Sequence, residues 1–289
     1  MNIGLVDVDN HNYPNLALMK ISSFHKQKGD HVEWAMGFVP YDKVYMAKVF
    51  TFTEDDLQAY QGEIIKGGTG YGLDTQLPHE IEHAFPDYGL YGITDTAYGF
   101  LTRGCPRGCD FCIVAAKEGR RSIKVANLSE FWNGQKKIEL LDPNILAARQ
   151  WEDLLGQLAE SKAIVNYSQG IDIRLMTDEK VRALNKTKYK RLHFAWDNAA
   201  DKVTPIMLKE YANAFNVKPI KLMVYVLTNF NSTIEEDLYR IYALKDMGYD
   251  PYVMVYDKPN APRNIRRLQR WVNNKFIFRT VKTFDEYKG

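Results

Sequence analysis

Short apolar runs recur at intervals of about 30 residues from residue 98 onward, the spacing that strand–helix units produce. The runs are YGFL (98–101), KIELL (137–141), AIVNYS (163–168), RLHFAW (191–196), KLMVYVL (221–227) and PYVMVY (251–256). Most are rich in β-branched or aromatic residues, as buried parallel strands are. Helical patterns stand between them. ILAARQWEDLLGQLAES (145–161) puts Leu146, Trp151, Leu154, Leu155 and Leu158 on one stripe. TDEKVRALNK (177–186) opens on a cap residue, Thr177, followed by two acids. TIEEDLYRIYALKDMG (233–248) carries the capping box Thr233–Glu236 and stops at Gly248. NIRRLQRWVNN (264–274) begins just after Pro262.

Strand–helix alternation at this spacing predicts an α/β fold with a parallel sheet and right-handed crossovers. Six units in about 190 residues fall short of the eight units and roughly 250 residues of a closed barrel. The expectation for residues 95–289 is therefore an open, partial (β/α)6 TIM-like barrel. The strand exits read TRGC, DPN (142–144), QGIDIR (169–174), DNA (197–199), TNFN (228–231) and DK (257–258). They collect at the C-terminal edge of the sheet, where parallel α/β proteins bind ligands. Residues 1–75 read as a small Rossmann-like α/β domain, with strands at 3–8, 43–50 and 62–65. Its helix, NLALMKISSFHKQKG (15–29), turns Leu16, Met19 and Phe24 inward. Residues 76–94 form the connector.

Composition narrows the class. Apolar residues make up 45% and charged residues 26%, which suits a globular chain rather than a disordered one. No apolar run approaches the roughly 18 to 20 residues of a membrane span. The start, MNIGLVDVDNHNYP, lacks a basic n-region and carries acids in its apolar stretch, so it does not read as a signal peptide. The net charge of +2 is uninformative, although the stretch from Pro262 to Lys282 is basic. Three cysteines cannot make a disulfide framework. A cytoplasmic, soluble protein without a membrane partner is expected.

All three cysteines, Cys105, Cys109 and Cys112, fall in TRGCPRGCDFC (102–112). Iron–sulfur cubanes are normally held by four thiolates, so three leave one iron open to another ligand. Gly104 and Gly108 let the backbone wrap closely, and Arg103 and Arg107 offset thiolate charge. The alternatives are a zinc site, with His193 or His83 as fourth ligand, and unligated redox thiols.

Cys-x3-Cys-x2-Cys, with Phe111 before the last cysteine and a strand before the loop, resembles the signature of the radical S-adenosylmethionine (radical SAM) superfamily. The resemblance covers roughly residues 92 to 280. It implies an oxygen-sensitive [4Fe–4S] enzyme with Cys105, Cys109 and Cys112 as metal ligands and S-adenosylmethionine on the open iron. Reductive cleavage then yields methionine and a 5′-deoxyadenosyl radical, which abstracts hydrogen from a substrate. An electron donor such as flavodoxin or ferredoxin is implied, and the substrate is left open among RNA, peptide and metabolite. Phe111 would lie against the adenine.

S-adenosylmethionine would then lie across the neighbouring strand exits. Asp142 and Asn144 stand where many relatives carry a Gly-Gly-Glu stretch, and only position and polarity carry over. Gln169, Asp172 and Arg174 follow the third strand, with Arg174 the natural partner of the methionine carboxylate. Asp197 and Asn198 are candidates for the ribose hydroxyls. Helix caps and loop turns are the plain alternative for each Asp and Asn.

With every cysteine in one motif, a second cysteine-ligated cluster and a cysteine methyl carrier are excluded. Asp9-Asn10-His11-Asn12-Tyr13-Pro14 resembles the Asp-x-His-x-x-Gly turn of cobalamin-binding domains, with His11 as cobalt ligand. Pro14 stands where that turn has glycine, which favours a degenerate relic. His79-Glu80-Ile81-Glu82-His83 matches a zinc-protease pattern, but Pro78 and Pro86 bracket it, so a linker is expected. Gly67-Gly68-Thr69-Gly70-Tyr71-Gly72 reads as a turn. The basic helix with Arg263, Arg266, Arg267 and Arg270 reads as a solvated face with Leu268 and Trp271 packed inward. In the alternative function, a zinc or iron–sulfur module without catalytic activity braces a nucleic-acid-binding surface.

Overall fold

A computed structural model of the chain describes residues 1–10 and 13–289. His11, expected as a cobalt ligand, lies outside the described residues. The chain opens with β1 (Asn2–Asp7), α1 (Leu16–Gln27), β2 (His31–Trp34), β3 (Pro40–Ala47) and β4 (Gln61–Gly67). These strands form one parallel sheet in the order β2-β1-β3-β4. The sequence pattern misses β2. Its segment, HVEW, is short and half polar, and it occupies the sheet edge, where one face of pairing suffices. Asn15 caps α1 by accepting from the Leu18 amide at 3.2 Å. Met19 is buried as expected, but Leu16 and Phe24 are only half-buried. The inward face instead carries Leu18, Ile21 and His25.

The single turn α2 (His79–Glu82) follows. The connector is strapped to α1. Glu82 accepts from Lys20, Asp87 takes Ser22 and Lys26 at 2.7 Å each, and the Tyr91 hydroxyl donates to Asp7 at 2.7 Å.

The remaining elements are β5 (Thr96–Gly99), β6 (Thr102–Arg103), α3 (Val114–Glu118), β7 (Ile123–Lys124), β8 (Lys137–Leu140), α4 (Trp151–Ser161), β9 (Ile164–Tyr167) and α5 (Asp178–Lys186). Then come β10 (Leu192–Ala195), α6 (Val203–Tyr211), β11 (Leu222–Thr228), α7 (Ile234–Asp246), β12 (Asp250–Val255), α8 (Arg263–Asn273) and α9 (Lys275–Thr280). The expected strands pair in parallel as two sheets, β5-β8-β9 and β10-β11-β12. The ladder is interrupted between β9 and β10, where the Ile171 amide bonds the His193 carbonyl at 2.7 Å. β6 and β7 form a small antiparallel hairpin flanking the cysteine loop.

α4 starts later than its apolar stripe. Ile145–Ala147 form a 3-10 turn instead, in which the Asn144 carbonyl accepts from the Ala147 amide at 3.2 Å as well as from Ser122, and Lys180 takes the Leu146 carbonyl. The caps of α5 and α7 are as expected, including both halves of the Thr233–Glu236 box.

Burial alternates along the long-loop strands. Ile138 and Leu140, Val165 and Tyr167, and Phe194 and Trp196 are packed away in the main core. Their neighbours Glu139, Asn166, His193 and Ala195 are only half-buried. β8, β9 and β10 are thus packed on one face, whereas β11 is buried on both except at Tyr225, as its continuous apolar run suggests. Among the described residues, no helix is long and apolar enough to cross a membrane.

Candidate functional site

The cysteine loop leaves β6 through Gly104, whose φ of +83° is a left-handed conformation. The Gly104 amide donates to Glu118 at 3.0 Å, and the Cys105 amide to the Gly119 carbonyl at 3.2 Å. A Cβ on Gly104 would stand 2.1 Å from the Arg121 carbonyl oxygen, whereas one on Gly119 (φ +91°) meets nothing within 4 Å. Gly104→Ala is therefore expected to lower unfolding stability by at least about 2 kcal/mol, and Gly119→Ala by about 1 kcal/mol, in urea titrations.

Asp142 anchors the other side. Its carboxylate accepts from the Leu101 amide at 2.8 Å, the Thr102 amide at 2.7 Å and the Thr102 hydroxyl at 2.5 Å. It is buried, and burial pushes its carboxyl up to about 7 against the pull of those donors. The sequence places Asp142 against a cofactor; its side chain instead ties down the strand that delivers the cysteines.

All three cysteines are free, with Cys105 and Cys109 half-buried and Cys112 exposed. Asn144 Nδ2 lies 3.6 Å from Cys105 Sγ and 3.4 Å from Asp172. Its side-chain oxygen, Oδ1, is buried without a partner among the described residues. Burial pushes the Cys109 thiol up, and the Arg174 guanidinium pulls against that rise. The expected helpers, Arg103 and Arg107, are engaged elsewhere. Arg103 pairs with Glu118 at 2.9 Å and Glu82 at 3.3 Å, and Arg107 with Asp172 at 2.6 Å.

A cavity of about 570 Å³ opens beside the loop, at the C-terminal ends of the strands. Of the residues singled out from the sequence, Arg107, Cys109, Phe111, Arg174, Asp197 and Asn198 line it. Asp142, Asn144, Gln169 and Asp172 do not. Gln169 is exposed, and Asn198 closes a loop turn by accepting from the Ala200 amide at 2.9 Å. Asp172 holds Arg174 Nε at 2.8 Å; burial raises its carboxyl, but Arg174 and Arg107 outweigh that and hold it low.

Among the lining residues that sequence reasoning does not single out, Asp201 and Phe230 contact those that it does. Asp201 reaches Arg174 Nη1 at 3.4 Å and also receives the amides that open α6. Phe230 meets Phe111 edge-on, with centroids 5.7 Å apart, and Tyr256 at 4.9 Å. The polar exit TNFN signals the loop but not the aromatic within it.

Burial raises Asp197 to about 6, against Arg240 and Arg174. A carboxyl raised above its ordinary 3.8 stabilises the fold fully below that value and loses the contribution as pH rises through about 6. Asp197→Asn removes this decline. Its stability relative to the parent is expected to rise by up to about 3 kcal/mol between pH 4 and 7, read from denaturation at several pH values.

The donor types of a thiolate-held cluster are present, with three free thiols on one short loop, the Asn144 side-chain N–H beside Cys105 and the Arg174 guanidinium acting on Cys109. A single ion needs sulfurs about 2.3 Å from one centre. Among the described residues, no group of three or more His, Cys, Asp or Glu, the three cysteines included, is gathered so as to hold a metal ion. Of the histidines considered as zinc ligands, His83 Nδ1 meets Glu130 at 2.7 Å and His193 Nδ1 meets the Tyr167 carbonyl at 3.2 Å. In the basic helix, Leu268 and Trp271 are buried, Arg263, Arg266 and Arg270 are exposed, and Arg267 binds the Tyr287 and Gly289 carbonyls. No protein-family model matches the chain, and no curated protein is significantly similar to it.

Proposed function

We propose that the chain is a radical S-adenosylmethionine enzyme that holds a [4Fe–4S] cluster through Cys105, Cys109 and Cys112. The observation that carries this reading is the gathering of Cys109, Phe111, Arg174 and Asp197 around one cavity at the strand ends. The finer fold reading accompanies it. The two parallel sheets are taken as halves of a partial (β/α)6 barrel over 95–289, joined through 76–94 to a Rossmann-like unit of residues 1–75.

When bound, the cluster and S-adenosylmethionine supply a 5′-deoxyadenosyl radical, with an electron from a carrier such as flavodoxin or ferredoxin. The protein's own groups bind and orient. Phe111 and Phe230 offer aromatic faces to the adenine. Asp197 accepts from the ribose hydroxyls once it is ionised. Asn144 donates to Cys105 and restrains the thiolate. Arg174 keeps Nε and Nη1 on Asp172 and Asp201, while Nη2 takes no partner among the described residues and is the donor for the methionine carboxylate.

Equilibrium dialysis of anaerobically reconstituted protein against S-adenosylmethionine tests this arrangement. Arg174→Gln is expected to weaken binding at least about tenfold, because charged hydrogen bonds contribute about 1.5–3 kcal/mol. Equal affinity in parent and variant would contradict it.

A further inference from the structure

The half-buried face of the two sheets carries a row of polar and aromatic side chains, one per strand: Tyr98, Glu139, Asn166, His193, Tyr225 and Tyr252. Strand register sets Tyr98 beside Glu139, Glu139 beside Asn166, and Tyr225 beside Tyr252. The row lies directly below the cavity, since Ala195, which lines it, is in register with Tyr225. Glu139 is the one acid of the row. Asn166 Nδ2 donates to both of its oxygens, at 2.8 and 2.9 Å. It forms no ion pair among the described residues: Lys137 of β8 pairs with Asp95, and Arg191, just before β10, and Lys275 of α9 pair with Asp250.

His193 adds a second acceptor. Its Nδ1 faces the Tyr167 carbonyl at 3.2 Å, which can only accept, so the proton sits on Nδ1 and Nε2 carries a lone pair. Its ring stacks parallel on Tyr225, with centroids 5.6 Å apart, and Tyr252 meets Tyr225 edge-on. Tyr13, from the segment after β1, already places a flat, donor-bearing ring here. It packs edge-on against Tyr98 with centroids 5.7 Å apart and donates its hydroxyl to Glu139.

We infer that this row is the substrate-binding floor of the site, and that it takes a flat ring bearing an N–H donor edge, an amidine or an amino-substituted nitrogen heterocycle, on the Glu139 carboxylate. A planar N–H edge matches carboxylate geometry, aromatic walls take the ring faces, and an acid with no cationic partner favours a donor-rich or cationic ligand over an anion. Tyr13 stands in for the ligand's donor and must yield when it binds. The inference rests on the function proposed above for the word substrate, but the binding itself does not.

Calorimetric titration of the purified full chain with benzamidine and with benzoate, one ring carrying opposite charges, tests it. Benzamidine is expected to bind saturably and benzoate not to, and Glu139→Gln to weaken benzamidine at least tenfold. Tyr13→Phe, a change at an exposed position, frees one acceptor site and is expected to tighten benzamidine at least threefold, which keeps the test open if the Glu139 variant misfolds. Absent benzamidine binding, benzoate binding as tight, an unaffected Glu139→Gln, or a Tyr13→Phe variant that binds no tighter would each overturn the inference. Benzamidine binding should persist in a variant lacking all three cysteines. Absence of S-adenosylmethionine cleavage by the reconstituted parent with that binding intact counts against the proposed function alone, and parental cleavage without amidine selectivity counts against this inference alone.

Discussion

Cys105→Ala, Cys109→Ala and Cys112→Ala each abolish reductive cleavage of S-adenosylmethionine while leaving the fold standing. The three thiols are half-buried or exposed and contribute nothing to the main core, so each variant should unfold within about 1 kcal/mol of the parent. Their positions come from elsewhere: Asp142 on the Leu101 and Thr102 amides, Glu118 on Gly104, and the left-handed φ at Gly104 and Gly108. The loop therefore persists, and what disappears is one soft anionic ligand. Serine restores the volume but not the thiolate, so Cys109→Ser should be as inactive as Cys109→Ala. Measured cleavage in any single variant at parental rate would exclude that thiol as a ligand. Unfolding of the variants would instead mean that the thiols brace the loop.

The largest stability effect is expected at Arg240. Its side chain and that of Asp237 are both 0% exposed, and their contact is 2.5 Å. The guanidinium donates to the Trp196 carbonyl at 2.7 Å, just past β10, and to the Leu227 carbonyl at 2.8 Å, near the end of β11. Arg240→Met leaves those carbonyls unpaired and the Asp237 carboxylate without its cation, at a cost of about 3–5 kcal/mol in urea unfolding. Burial already raises the Asp237 carboxyl, so proton uptake softens the loss at low pH. The double variant Arg240→Met, Asp237→Leu should recover much of it, because a buried pair replaced by apolar groups is often neutral. Asp197 directly follows Trp196, so the single variant should also displace Asp197 and weaken ligand binding. A single variant within about 1 kcal/mol of the parent would show that the pair carries no net stability.

Legibility in the sequence followed distance along the chain. The cysteine loop, the cap Thr177 and the Thr233–Glu236 box are local patterns, and each stands where its spacing puts it. Strand identity and parallel pairing were also readable, because a βα unit repeats its apolar run. Side-chain direction was not. Asp142 and Asp197 both follow a strand, yet one turns in to bind Leu101 and Thr102 and the other lines the cavity. The Arg174–Asp201 contact spans 27 residues and leaves no local trace. The Glu139 row escaped for a further reason. Each strand contributes one member, and four-residue strands such as KIEL and IVNY are too short to separate alternation from a continuous apolar run.

The central claim is best tested by anaerobic reconstitution of the full chain with iron and sulfide, followed by addition of S-adenosylmethionine and a strong reductant. The account predicts iron–sulfur absorbance and 5′-deoxyadenosine that accumulates only when reductant is present. Reconstituted protein that carries the cluster yet releases no 5′-deoxyadenosine, or that takes up zinc in preference to iron, would contradict it.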